Sequence, residues 1–416
     1  MNKKGNVLAI GIMFFLFAMI SFVTGLQNPM GVIAKAQFGA TNLMSQLGNA
    51  ANFIAYAFMG LPAGFLLKGK GYKFTALTAI AIGFVGVGIS YLSGVFESFP
   101  VYLLGAFVSG FSMCMLNTVV NPLLNTLGGG GNKGNQLIQL GGSCNSLAAT
   151  IVPVLAGYLI GEVTEKTQVA DVNLALFIAM AIFALAFVII FLSTIPEPEL
   201  EAAAAAGEQK KEGTLESIKG AVSHKNLVFG ISAIFLYVGI EVGIPNMANL
   251  YMTSPDGLGM AAGVAGTLVG AYWFLMLCGR LVGGAVGAKV SSRAMMTFVS
   301  SIAIVFVLLG MFLPETMTMT LLDAQVPVGM VFFVLCGLCT SIMWGAIFNL
   351  AVEGLGKYTS IASGLFMVMV CGGGLLPLLQ GFVADKAGYI PSYWVIIAAL
   401  AYTLWFALAG SKVEKK

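Results

Sequence analysis

Apolar residues run along this chain in blocks too long and too evenly hydrophobic to serve as the half-wet helices of a soluble domain. Twelve such blocks can be read, the first six at 7–34, 44–67, 74–95, 101–127, 135–161 and 173–195. A second six follow at 227–252, 260–287, 294–313, 327–352, 358–383 and 391–411. Each is long enough, at about 1.5 Å per helical residue, to cross or nearly cross the ~30 Å of a bilayer's hydrocarbon. We number them spans 1 to 12. The longest polar stretch lies between the two sets, from Ile195 to Lys225. The expected architecture is therefore an all-α integral membrane protein: a six-helix bundle over 1–195, a linker over 196–225 and a second six-helix bundle over 226–416. Span 1 follows Met1-Asn2-Lys3-Lys4, exceeds the apolar length of a signal peptide and lacks a small-residue cleavage site, so it is expected to stay in the membrane.

Composition agrees with lipid as the solvent. Hydrophobic residues make up 58% of the chain and charged residues only 9%, too few to clothe a water-soluble surface. The net charge of +3 is spread thinly, which excludes the clustered basic face of a nucleic-acid binder. With twelve crossings, all Lys and Arg except Lys35, Lys166 and Lys386 fall on one side, Arg280 included. Basic loops stay cytoplasmic, so both termini and the linker are expected there, in a multi-pass protein of the cell (inner) membrane.

The two sets of spans repeat one another. Asn121-Pro-Leu-Leu-Asn-Thr-Leu-Gly128 at the end of span 4 matches Asn349-Leu-Ala-Val-Glu-Gly-Leu-Gly356 at the end of span 10. Pro153-x3-Gly157 in span 5 matches Pro377-x3-Gly381 in span 11, and Gly25-x-Gln27 in span 1 is a weaker parallel to Gly239-x-Glu241 in span 7. Duplicated bundles are a common way to build a transporter around a central site.

Chemistry inside the spans is sparse. Glu241 is the one acid deep in a span, and an ionised carboxylate at that depth must face water, pair, bind an ion or take a proton. Pro245 has no N–H and so releases the carbonyl of Glu241 itself; Pro29, Pro122 and Pro377 likewise release Gly25, Thr118 and Gly373. Neutral amides dominate the remaining polar residues, and groups that both donate and accept suit sugar hydroxyls. Tyr237, Tyr272, Trp273 and Trp344 are embedded aromatics that could lay a face against a pyranose ring. The six cysteines all lie in apolar stretches, and Cys336-x2-Cys339 has no second pair or histidine to make a metal site. His224 is in the linker, Gly128–Gly131 lacks the Lys-Ser/Thr of a phosphate loop, and no nucleophilic triad is present. An enzyme reading has nothing to rest on.

Particular stretches resemble the fucose/glucose/galactose permease branch of the major facilitator superfamily over nearly the whole chain. They are Leu236-Tyr-Val-Gly-Ile-Glu-Val-Gly243, Ile347-Phe-Asn-Leu-Ala-Val-Glu-Gly-Leu-Gly356, Gly372-Gly-Gly-Leu-Leu-Pro-Leu-Leu-Gln-Gly381, Leu116-Asn-Thr-Val-Val-Asn-Pro122 and Asn145-Ser146. Gly64-x3-Lys68-Gly-Lys-Gly-Tyr-Lys73 is a degenerate form of that superfamily's loop between spans 2 and 3. The resemblance implies the superfamily's twelve-helix fold and a sugar:cation symporter of glucose/galactose-like hexoses, working by alternating access. Glu241 is the expected coupling residue, for H+ or for Na+ bound near it, with no other metal and no cofactor. Expected sugar contacts are Gln27, Asn28, Asn117, Asn121, Gln139, Asn145, Asn249 and Asn349, with Trp273 or Trp344 as stacking faces. Asn28 and Asn117 depart from the branch, whose fucose-type members carry Asp and Glu there for proton coupling. Expected partners are a small sugar and the bilayer, with the protein acting as a monomer and binding no nucleic acid. A facilitative sugar uniporter, a proton-driven exporter of another solute and a non-transporting membrane sensor are the alternatives.

Overall fold

The computed structural model describes residues 3–38, 42–160, 172–198, 200–201, 214–253, 257–260, 262–321 and 324–413. Lys166 and the linker residues Lys210 and Lys211 lie outside these. So do the side chains of Gln27, Asn28, Lys35 and Pro153, whose backbone, like that of Gly157, is helical. Among the described residues, ten helices are long and apolar enough to cross a membrane. One of them carries two of the expected spans: Ala50–Val95 is 46 residues, about twice the ~20 needed for a crossing.

That double element is broken at Gly71, where φ is 84° and ψ 179°. The sequence Lys68-Gly-Lys-Gly-Tyr-Lys73 supplies the residue that tolerates this left-handed φ, and span 3 restarts directly after it. The restart is capped from a distance. Glu197 accepts from the backbone N–H groups of Tyr72 and Lys73, at 2.7 and 2.8 Å, placing a carboxylate on the positive end of the helix. Lys73 in turn donates to the carbonyls of Phe191 and Ser193, at 2.9 and 2.8 Å, where the helix Asn173–Leu192 ends. Burial pushes the Glu197 carboxyl above its ordinary pKa, opposed by the two N–H bonds and by Lys73. Part of the linker is itself helical, Thr214–Val222, and its buried Ser217 accepts from Lys68 Nζ at 2.6 Å.

Span 11 is not one continuous α-helix. It runs as Thr359–Val368, a 3₁₀ turn at Met369–Cys371, and then Gly372–Ala387. Between spans 9 and 10 an antiparallel hairpin, β1 (Thr318–Leu321) with β2 (Ala324–Pro327), pairs Thr318 with Pro327 and Leu321 with Ala324. The carbonyls at the end of span 10 are collected by one buried side chain. Asn226 Nδ2 lies 3.3, 3.0 and 2.9 Å from the oxygens of Leu350, Ala351 and Glu353.

By contact the chain forms two compact units. The first comprises Met1–Leu127, Cys144–Ala221 and Leu355–Val368; the second comprises Gly128–Ser143, Val222–Gly354 and Met369–Lys416. In the first unit, glycine permits backbone-to-backbone approach of spans 2 and 11. A side chain on Gly60 would meet the Gly364 carbonyl oxygen at 2.6 Å, and one on Gly364 would meet the Gly60 oxygen at 2.5 Å. In the second unit, the helix Gly131–Ile160 contributes only its first half, through residues up to Ser143.

Candidate functional site

Glu241 lies in the helix Lys225–Thr253, and its side chain is enclosed to 14% exposure. Its carboxylate is not alone. Arg280, from the helix Ala262–Val286, is 12% exposed and places Nη2 3.3 Å from Glu241 Oε1. Its other terminal nitrogen, Nη1, donates to the Gly142 carbonyl at 3.0 Å. A guanidinium suits this position because its planar fork can serve two acceptors at once and holds its charge when enclosed. Removing one member of such a buried pair leaves an uncompensated charge, typically at a cost of about 3–5 kcal/mol.

The carbonyl of Glu241, which Pro245 deprives of its helical N–H, is not left open. Tyr272 donates its hydroxyl to it at 3.1 Å and accepts from Thr340 Oγ1 at 3.0 Å. The first unit has the same arrangement: Pro122 releases the Thr118 carbonyl, and Ser363 Oγ donates to it at 3.1 Å. Carboxylate and free carbonyl therefore do not coincide as an oxygen pair for a cation. A hydroxyl from another helix has filled each gap.

Tyr237, one turn before Glu241, is fully buried and stacks edge-on against Trp344, with centroids 6.2 Å apart at 61°. Its hydroxyl faces the Glu241 carboxylate and the Arg280 guanidinium. Tyr272 is 1% exposed, so it offers a hydroxyl rather than a ring face, whereas its neighbour Trp273 is 38% exposed and perpendicular to it.

Around this centre the second unit also places Gln139, whose Nε2 donates to the Ile342 carbonyl at 2.7 Å. Asn349 is buried and donates to Ser292 Oγ at 2.8 Å, a bond to the start of the helix Ser292–Phe312 rather than to Glu241. Asn249 is half-buried in span 7, two turns beyond Glu241. The first unit holds the others. Asn117 Nδ2 lies 3.1 Å from both the Tyr56 hydroxyl and the Met113 carbonyl, and Asn121 Nδ2 lies 2.9 Å from the Asn117 carbonyl. Asn145 Nδ2 donates to the Phe17 carbonyl at 3.0 Å. Gln27 and Asn28 lie on the helix Lys3–Phe38, their side chains outside the described residues. Asn117, Gln139, Asn145 and Asn349 are thus built into helix-to-helix bonds, and Asn121 into a bond within its own helix; Arg280, which the charge partition assigned to the cytoplasmic side, pairs with Glu241.

The sequence model of the Major Facilitator Superfamily matches residues 12–376. The chain belongs to the major facilitator superfamily. A "Glucose/galactose transporter" of Brucella abortus is 28% identical over 414 residues, covering 99% of this chain and 96% of that one. An "L-fucose-proton symporter" of Escherichia coli is 24% identical, covering 95% of this chain and 90% of that one. The crystal structure of the Escherichia coli fucose:proton symporter superposes with a TM-score of 0.83 at 21% identity, over 98% of this chain and all of that one. The fold is thus the superfamily's all-α membrane fold of twelve helices in two pseudo-symmetric bundles, and the protein is a multi-pass transporter, not an enzyme.

Proposed function

We propose that this superfamily member is a symporter of glucose/galactose-like hexoses, with Glu241 as its coupling residue. The observation that carries the reading is an enclosed carboxylate in span 7 whose charge is balanced by Arg280 at 3.3 Å. Whole-length similarity to a glucose/galactose transporter supports the substrate class. The amide-rich spans suit a neutral polyol better than a charged solute. Gln27, Asn28, Asn117, Asn121, Gln139, Asn145, Asn249 and Asn349 are the proposed sugar contacts, with Trp273 or Trp344 as a stacking face.

A proton is favoured over sodium as the coupling ion. A sodium ion at Glu241 would compete with the guanidinium for one carboxylate, and like charges repel strongly where the effective dielectric is low. The Glu241 carbonyl, a natural second sodium ligand, accepts from Tyr272. With Asn28 and Asn117 in place of the acids of fucose-type members, Glu241 is the residue left to take the proton. The halves 1–195 and 226–416, joined by 196–225, work by alternating access in a single chain. The cell's inner membrane, with both termini cytoplasmic, fits the partition of Lys and Arg.

The experiment is uptake of labelled glucose, galactose, fucose and mannose into proteoliposomes under separately imposed proton and sodium gradients. Accumulation of a hexose driven by the proton gradient, and abolished by Glu241→Gln while equilibrative exchange persists, is the expected result. Equilibration that ignores both gradients would make the protein a uniporter, and accumulation driven by sodium would transfer Glu241 to a cation site.

A further inference from the structure

We propose that Arg280 is a positioning residue of the transport cycle, linking the charge on Glu241 to the seating of the segment 128–143 in the second unit. One guanidinium carries both bonds, Nη2 to Glu241 Oε1 at 3.3 Å and Nη1 to the Gly142 carbonyl at 3.0 Å. The inference rests on Glu241 as the coupling residue and goes beyond it, by identifying what the carboxylate acts upon.

Three other long-range bonds of the segment to described residues of this unit are neutral and come from one face of its helix. Asn135 Nδ2 lies 3.7 Å from the Met295 sulfur, Gln136 Nε2 3.0 Å from the Gly284 carbonyl and Gln139 Nε2 2.7 Å from the Ile342 carbonyl. Spaced at i, i+1 and i+4, they continue to Gly142 at i+7, so Arg280 supplies the last contact of a helical stripe and the only charge-assisted one of the four. Neutral amide bonds to backbone carbonyls are weaker and exchange readily with water. The segment is therefore held by modest bonds and one strong one.

That strong bond depends on Glu241. While the carboxylate is ionised, its attraction fixes the guanidinium, and the fork geometry then directs Nη1 at Gly142. A proton on the carboxylate removes the counter-charge, and the enclosed cation must turn toward other acceptors. Among the described residues, the other ionisable side chains facing the pair are Tyr237 from span 7 and Tyr272 from span 8, with Cys336 of span 10 against Tyr272. Because the two bonds share one rigid group, turning it for one acceptor strains or breaks the other. Loss of charge at Glu241 thus loosens the 128–143 segment without any contact between them.

The test uses the full chain in proteoliposomes, with its six native cysteines replaced and one reporter cysteine at Ser143, a buried position beside Gly142. Alkylation of Ser143→Cys by N-ethylmaleimide is expected to be slow in the parent and faster in Arg280→Lys, whose ammonium keeps the charge but lacks the fork that reaches Gly142. It should be about ten-fold faster in Arg280→Gln and in Glu241→Gln, as local opening becomes easier. A second reporter at the fully buried Ser300→Cys, elsewhere in the same unit, should not change. The double variant Glu241→Gln/Arg280→Gln, which breaks the same linkage at both ends, should be alkylated at Ser143 no faster than either single variant. Equal alkylation at Ser143 in all variants overturns the proposal, as does a matching rise at Ser300, which would signal general loosening. Should Glu241→Gln retain concentrative uptake, the coupling assignment fails, while the Ser143 rates still decide whether Arg280 seats the segment.

Discussion

The Tyr272 hydroxyl donates to the backbone carbonyl of Glu241 at 3.1 Å, supplying from span 8 the hydrogen bond that Pro245 removes from span 7. Proline's cost in a helix interior comes partly from the carbonyl it orphans. Here that carbonyl belongs to the enclosed acid that pairs with Arg280.

Tyr272→Phe should therefore destabilise the protein by about 1–3 kcal/mol, the usual cost of leaving a buried acceptor unsatisfied. Uptake should fall more than folding does, because the backbone that carries the carboxylate is released. Melting temperature in detergent and initial uptake rate, measured on the same preparation, check this. An unchanged melting temperature would mean that water or another donor replaces the hydroxyl.

The counterpart in the first unit offers a cleaner test, since the carbonyl there belongs to a threonine rather than to an acid. Ser363 bonds the Thr118 carbonyl that Pro122 releases. Ser363→Ala should cost roughly 1 kcal/mol or somewhat more. In a Pro122→Ala background the helix recovers its own N–H for Thr118, so the same Ser363→Ala substitution should then cost almost nothing. Two melting-temperature differences form the cycle. Equal costs in both backgrounds would disprove the link between proline and hydroxyl.

These two sites also mark how far the sequence could be read. Pro122 and Pro245 name the carbonyls they release, because that relation is local: four residues back along a helix. The donors, Ser363 and Tyr272, come from other helices, and nothing in a local pattern pairs them. Long apolar blocks placed the membrane helices for the same local reason, and Gly64-x3-Lys68-Gly-Lys-Gly-Tyr-Lys73, read as the loop between spans 2 and 3, holds the break at Gly71. Arg280 was legible only in part. Counting it with the cytoplasmic loop cations hid its position well inside the block 260–287, where a charge calls for a partner as surely as Glu241 does. Trp273 and Tyr272, adjacent in sequence, look equivalent as aromatic faces, yet one is 38% exposed and the other is buried with its hydroxyl engaged.

Glu197 provides a prediction with a pH sign. Its carboxyl is pushed above the ordinary value chiefly by burial, so the folded state binds that proton more tightly than the unfolded chain does. The stability from that shift is fully present below the unfolded pKa and is lost as pH rises through the folded one. Glu197→Gln keeps an acceptor for the N–H groups of Tyr72 and Lys73 and removes the titration. Its melting temperature relative to the parent should therefore rise as pH increases across the raised carboxyl range. Glu197→Ala, which leaves both N–H groups uncapped, should cost about 1 kcal/mol at low pH and less as pH rises, because it too removes the titration. Parallel melting curves for parent and Glu197→Gln across pH 4 to 7 would contradict the burial argument.

Tyr237 separates a structural hydroxyl from a working one. It is fully buried one turn from Glu241, its ring is held against Trp344, and its oxygen faces the Glu241–Arg280 pair. A buried hydroxyl contributes little net stability once its desolvation is counted, so Tyr237→Phe should change stability by no more than ~1 kcal/mol. The same hydroxyl can bond more strongly during the cycle, to the carboxylate when Arg280 turns away or to the sugar. Uptake should then drop several-fold or more in Tyr237→Phe while the melting temperature holds, with exchange affected as well as accumulation if the partner is the sugar, and accumulation alone if it is Glu241. Full uptake at full stability would make the hydroxyl a bystander and leave the ring, through its contact with Trp344, as the part of Tyr237 that matters.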